Sequence, residues 1–208
     1  MIKIANGAQK DVAKILDIIF TAGIICSVIA TVYCYINAPL ILKLWLGKPS
    51  ETGIRIVRLV ILALPFYTFS GLTMSPIDAV SERGYNSLVY GFGALSMVII
   101  IFIGRAFQID LLTTALFSFL ISHIITGLAS SFCIKKLYSL RVWNFKLFSE
   151  IVFSIVIMYL VHYLVSQAVI SDLAQLLITS FIYLLIGSAI IKFVSTGWLA
   201  ELKAKIYA

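Results

Sequence analysis

The stretch MSPIDAVSERGYNS, residues 74–87, decides how this chain is counted into helices. It places a proline, an aspartate, a Glu-Arg pair and a glycine inside otherwise nearly continuous hydrocarbon. If it lay within a membrane it would be a polar site; if it lay at a membrane surface it would be a turn between two spans. An apolar segment starting near Ile54 rises 1.5 Å per residue and needs roughly 20 residues to cross about 30 Å of hydrocarbon. That length ends close to Pro76 and Asp78, so the stretch reads as a tight surface turn. Asp78, Glu82 and Arg83 then sit at the interface, and Gly84 lets the chain reverse.

Composition sets the solvent. The 208 residues are 62% hydrophobic and only 12% charged, with a mean hydropathy of +1.08. Soluble domains carry about 25% charged residues, and a water-facing surface cannot be built from so few. The expected fold is all-α: a polytopic integral membrane protein with six transmembrane helices. The spans fall at about 15–36, 56–80, 86–104, 111–134, 150–170 and 173–194 of a single membrane domain. Helices are the expected form because each satisfies its own backbone in lipid.

Orientation follows from the cations. Lys3, Lys10, Lys14, Arg83, Lys135, Lys136, Arg141, Lys146, Lys192, Lys203 and Lys205 lie on one side, eleven of the sixteen Lys and Arg. Lys43, Lys48, Arg55, Arg58 and Arg105 lie on the other. The positive-inside rule puts both termini in the cytoplasm. The net charge of +7 is thus a topology signal and implies no nucleic-acid partner. Cys26, Cys34 and Cys133 fall inside spans without metal-binding spacing and read as small packing residues.

Between the first two spans, NAPLILKLWLGKPSETG (37–53) reads as a short interfacial helix begun by Pro39 and stopped at Gly47. The tail GWLAELKAKIYA sets Trp198, Leu202 and Ile206 on one stripe, which suits the inner membrane surface. Pro65 lies near mid-membrane, where a kink needs compensation from neighbours.

The order of these features resembles the C-terminal half of bacterial polysaccharide (O-antigen type) flippases, of the superfamily that includes multidrug and toxic-compound exporters. In such proteins a span ends in a pattern like AP-x-I-L-x-L-W-L-G. Ala38, Pro39, Ile41, Leu42, Leu44, Trp45, Leu46 and Gly47 match it, and Ala79 and Gly84 match the inner turn that follows. The resemblance covers residues 10–105 and extends to the last three spans by topology alone. It implies translocation of a polyprenyl-pyrophosphate-linked oligosaccharide for surface polysaccharide biosynthesis in the bacterial inner membrane. Such flippases have two six-helix halves about a cavity, so it also implies a missing N-terminal half or a second copy as partner, besides membrane lipids.

Moving an anionic head group requires cations in a cavity. Arg55 and Arg58, at i and i+3, share a helix face, and guanidinium suits phosphate through paired hydrogen bonds. Snorkelling to head groups explains the same pair without substrate. Lys43 and His123 are further substrate-binding candidates. His123 is also readable as an interhelical hydrogen-bonder, as is His162. Asp78, Arg83 and Gly84 are candidates for an inner-end turn or gate.

The nine carboxylates are scattered, with no HExxH, nucleophile elbow or glycine-rich phosphate loop. The sequence therefore implies no catalytic residue, no metal and no cofactor. Two other readings remain. A membrane enzyme on a lipid-linked sugar would bring His123 to Asp110 or Glu150. A non-transporting interaction module would present Gly91, Gly93 and Ala94 as a packing face.

Overall fold

A computed structural model describes the backbone of residues 6–81, 84–140, 142, 145–168 and 171–206. It contains seven helices in chain order. They are α1 (Asn6–Leu46), α2 (Glu51–Ile61), α3 (Leu64–Val80), α4 (Tyr85–Ala106), α5 (Leu111–Tyr138), α6 (Phe145–Gln167) and α7 (Asp172–Ile206). No strand occurs among the described residues.

The distribution of side chains is that of a membrane protein. Leu88, Phe92, Leu95 and Phe102 of α4, Phe153 and Leu164 of α6 and Phe181 of α7 are exposed, whereas Ser118, Ser122, Thr126, Ser130 and Thr179 are buried. Water would reverse that arrangement. In lipid, hydrocarbon outside costs nothing, and small residues inside let helices approach. Three buried hydroxyls of α5 return their protons to their own helix: Ser118 to the Ala115 carbonyl at 2.8 Å, Ser122 to Phe119 at 3.1 Å and Thr126 to Ser122 at 2.8 Å.

Among the described residues, five helical stretches are long and apolar enough to cross a membrane: Val12–Leu46, Glu51–Val80, Tyr85–Ala106, Leu111–Tyr138 and Asp172–Ala189. The sixth expected span lies on α6, whose apolar part is the shorter Ile151–Gln167. Its 17 residues extend roughly 26 Å at the helical rise, just under the hydrocarbon thickness.

The second span is two helices. It breaks at Leu62–Ala63, and α3 carries Pro65 in its first turn. Proline has no N–H to give the carbonyl four residues earlier, here that of Ile61. The Thr31 hydroxyl on α1 reaches that carbonyl at 3.2 Å while also bonding its own Ser27 carbonyl at 2.7 Å. The kink expected at Pro65 is thus stabilised from a neighbouring helix.

Pro39 behaves differently from the sequence expectation. Rather than starting a separate helix, it sits inside α1, which runs on to Leu46 and ends at Gly47 with φ +78°. A continuous helix is tolerated because the carbonyl freed by Pro39, that of Tyr35, accepts from Arg58 Nε at 3.2 Å. At the other terminus α7 continues unbroken to Ile206, so the tail expected to lie along the surface prolongs the last span instead.

The tightest packing is α4 on α5. A Cβ at Gly93 would overlap the Thr126 side chain, and one at Gly104 would overlap Thr114. Gly91 faces open space. Of the expected packing face, Gly93 is therefore used within the chain, and Gly91 is not.

Candidate functional site

The ends of the helices sort the charged residues into two groups. Because α1 ends where α2 begins, and α4 ends where α5 begins, Lys43, Glu51, Arg55, Arg58, Arg105, Asp110 and Asp172 share one end of the bundle. Asp78, Gly84, Lys135 and Lys136 share the other.

At the first end α2 presents Glu51, Arg55 and Arg58 at i, i+4 and i+7, one helical face. Ser50 caps this helix, its hydroxyl accepting from the Gly53 N–H at 3.0 Å. No residue of α2 is buried, so the helix lies against α1 and α5 without entering the core. Between them is an open pocket of about 540 Å³. Glu51, Arg55 and Arg58 line it from α2, Tyr35 and Pro39 from α1, and Phe117 from α5.

Both arginines are held in place. Arg58 donates Nε to the Tyr35 carbonyl, and its guanidinium carbon stands 5.2 Å from the centre of the Tyr35 ring. That is cation–π distance, and the hydrogen bond uses one of the guanidinium's five N–H donors. Arg55 donates Nη2 to the Thr113 hydroxyl at 2.9 Å. Thr113 in turn gives its backbone N–H to Asp110, the α5 cap, at 2.8 Å. Hydrogen bonds from the Thr113 side chain and backbone, with the Arg55 charge nearby, hold the Asp110 carboxyl below the usual range.

Two cations and one carboxylate around an aromatic-walled opening leave a net positive charge. Such a site attracts an anion and offers planar, paired donors to phosphate or carboxylate oxygens.

The other sequence candidates lie elsewhere. Lys43 forms an ion pair with Asp172, joining α1 to α7; it is not among the residues lining the arginine pocket. His123 lies mid-helix on α5, edge-on to Phe119 at 4.5 Å and to Tyr67 at 5.5 Å between ring centres. It is thirteen residues from Asp110 along the helix, roughly 20 Å at the helical rise, so the pairing expected of an enzyme does not form. The Glu150 side chain lies outside the described residues. The described residues hold no group of three or more His, Cys, Asp or Glu placed for a metal.

The candidates for a turn or gate remain separate from the arginines. Gly84 takes φ +36° and starts α4, which is the reversal its position demands. Asp78 is exposed near the end of α3, and Arg83 lies outside the described residues. The turn is tied to α5 by Tyr138, whose hydroxyl donates to the Pro76 carbonyl at 2.8 Å, and by Lys136 over the Tyr85 ring at 5.5 Å.

No known protein family, no characterised protein and no solved structure matches the chain. The likeness to flippases rests on the residues that carry it.

Sequence reasoning missed Tyr35, Glu51 and Phe117. Glu51 was within reach, since 51, 55 and 58 repeat at helical spacing. Tyr35 was also signalled, because Pro39 must free its carbonyl. Nothing local in the sequence marks Phe117.

Proposed function

We propose that this chain takes part in moving a polyprenyl-pyrophosphate-linked oligosaccharide across the bacterial inner membrane, for cell-surface polysaccharide biosynthesis. In this reading α6 is the sixth span and both termini are cytoplasmic. The arginine pocket then opens on the outer side. The chain acts as a half-transporter, completed by an N-terminal half or a second copy. The observation that carries the reading is the convergence of Arg55 and Arg58 on one open pocket with an aromatic wall. Snorkelling alone would leave both guanidinium groups reaching to the head groups, whereas Arg58 bonds the Tyr35 carbonyl and Arg55 the Thr113 hydroxyl. The motif from Ala38 to Gly47 adds the likeness to flippases.

The test is transport of a fluorescent polyprenyl-pyrophosphate sugar in vesicles containing the protein and any partner that co-purifies with it. Arg55→Ala with Arg58→Ala should abolish protein-dependent movement, while Arg105→Ala, outside the pocket lining, should leave it intact. Full activity in the double variant would reject the proposal.

A further inference from the structure

A second pocket, of about 480 Å³, lies between α1 and α7, away from the arginines. Cys26, Ile29, Ala30 and Tyr33 form one wall, and Tyr183, Leu184 and Gly187 lie on the other. Its length follows from the helices. Cys26 to Tyr33 and Ser180 to Ser188 each cover about 10–12 Å of axis. Along α7 it begins about 12 Å from Asp172 and ends at about 24 Å, within the hydrocarbon depth.

The lining carries no charged side chain, and its hydroxyls are already paired. Tyr33 and Ser180 bond each other at 2.6 Å, and Ser180 donates to the Leu176 carbonyl at 2.7 Å. Tyr183 donates to Met158 at 2.7 Å and Ser188 to Leu185 at 2.9 Å. A polar ligand entering here would lose water and find no spare donor, which is costly. A hydrocarbon loses nothing.

Size separates hydrocarbon from protein. Over the pocket's length of about 10–12 Å a helix about 10 Å wide fills roughly 800–950 Å³, well above the pocket's volume of about 480 Å³, so the pocket does not hold a helix from a second copy. Its exposed lining also falls far short of the roughly 800 Å² per partner of a stable interface. The Tyr33–Ser180 bond closes one end. Ile15 and Ile19, exposed on α1 about two to three turns below Cys26, continue an apolar track towards the other end.

We propose that the α1–α7 pocket is a binding site for one acyl chain of a bilayer phospholipid, held more tightly than the lipid around the rest of the bundle. The proposal does not depend on the transport reading.

The experiment uses the full chain in phosphatidylethanolamine–phosphatidylglycerol vesicles containing a phosphatidylethanolamine with a mid-chain diazirine. Illumination should label Cys26–Tyr33 and Leu184–Ser188 several-fold more than Leu88, Phe92 and Leu95 on the exposed face of α4. Gly187→Leu points a side chain at Ile29, whose Cδ1 lies 3.3 Å from the position of a Cβ there. It should remove the excess and leave α4 labelling unchanged, whereas Gly91→Leu should change neither. If Gly187→Leu fails to give a monodisperse protein, Ala30→Leu fills the pocket from the opposite wall and is read the same way. Equal labelling of the two faces, or an excess surviving in a folded filled variant, overturns the proposal. So does efficient Cys26–Cys26 crosslinking between chains with the pocket unlabelled.

Discussion

Thr31→Val tests whether an interhelical hydroxyl stabilises the break in the second span. The variant keeps the side-chain shape and removes the proton shared between the Ser27 and Ile61 carbonyls. Interhelical hydrogen bonds in membranes average about 0.6 kcal/mol and reach about 1.7. The Ile61 bond is long, at 3.2 Å, but its acceptor has lost its usual donor to Pro65, so a cost near 1 kcal/mol is expected. Restoring that donor with Pro65→Ala should make Thr31 redundant. In the Pro65→Ala background Thr31→Val should therefore cost much less, giving a coupling of roughly 0.5–1 kcal/mol. Reversible unfolding of the four proteins in mixed micelles, followed by circular dichroism, measures it. Equal costs in both backgrounds, within about 0.3 kcal/mol, would refute the assignment of Thr31 to the freed carbonyl.

Arg58 and Pro39 form the parallel case: Arg58→Ala should cost about 1 kcal/mol in the native background and less in Pro39→Ala, by the same unfolding assay. Gly93→Leu should lower stability by about 1–3 kcal/mol through overpacking against Thr126, while Gly91→Leu, facing open space, should leave the thermal midpoint nearly unchanged. For Asp110 the folded carboxyl is depressed by Thr113, so its contribution is present above the ordinary carboxylate range and is lost as pH falls through the folded value. The difference in midpoint between native protein and Asp110→Asn should then be constant above about pH 5 and shrink below about pH 4. A difference independent of pH would show that the cap does not depend on the charge.

Much of the architecture was legible because the bilayer imposes it locally. Run length and the scarcity of charge suffice to mark apolar helices, and the turn that follows Pro76 was readable from Gly84. The run from Asn37 to Gly47 was misread, because Pro39 usually begins a helix when nothing replaces its lost hydrogen bond. Arg58, nineteen residues later, supplies a donor to the carbonyl it frees, and no local pattern reveals that. The same limit applies to Lys43, which sequence grouped with the arginines and which the fold pairs with Asp172 on the last helix.

Sequence by itself determined that hydrocarbon surrounds this chain, that it is helical, and that Arg55 and Arg58 share one helix face. Periodicity and transfer energy need only neighbouring residues, so they survive without a fold. The tertiary structure alone decided that this face closes on Tyr35 and Phe117, and that Gly93 rather than Gly91 meets α5. It alone leaves an apolar pocket between the first helix and the last. Each of these depends on which helices become neighbours across more than a score of residues, and in lipid that choice is made by close packing of small side chains rather than by hydrophobicity, which is equal on every face.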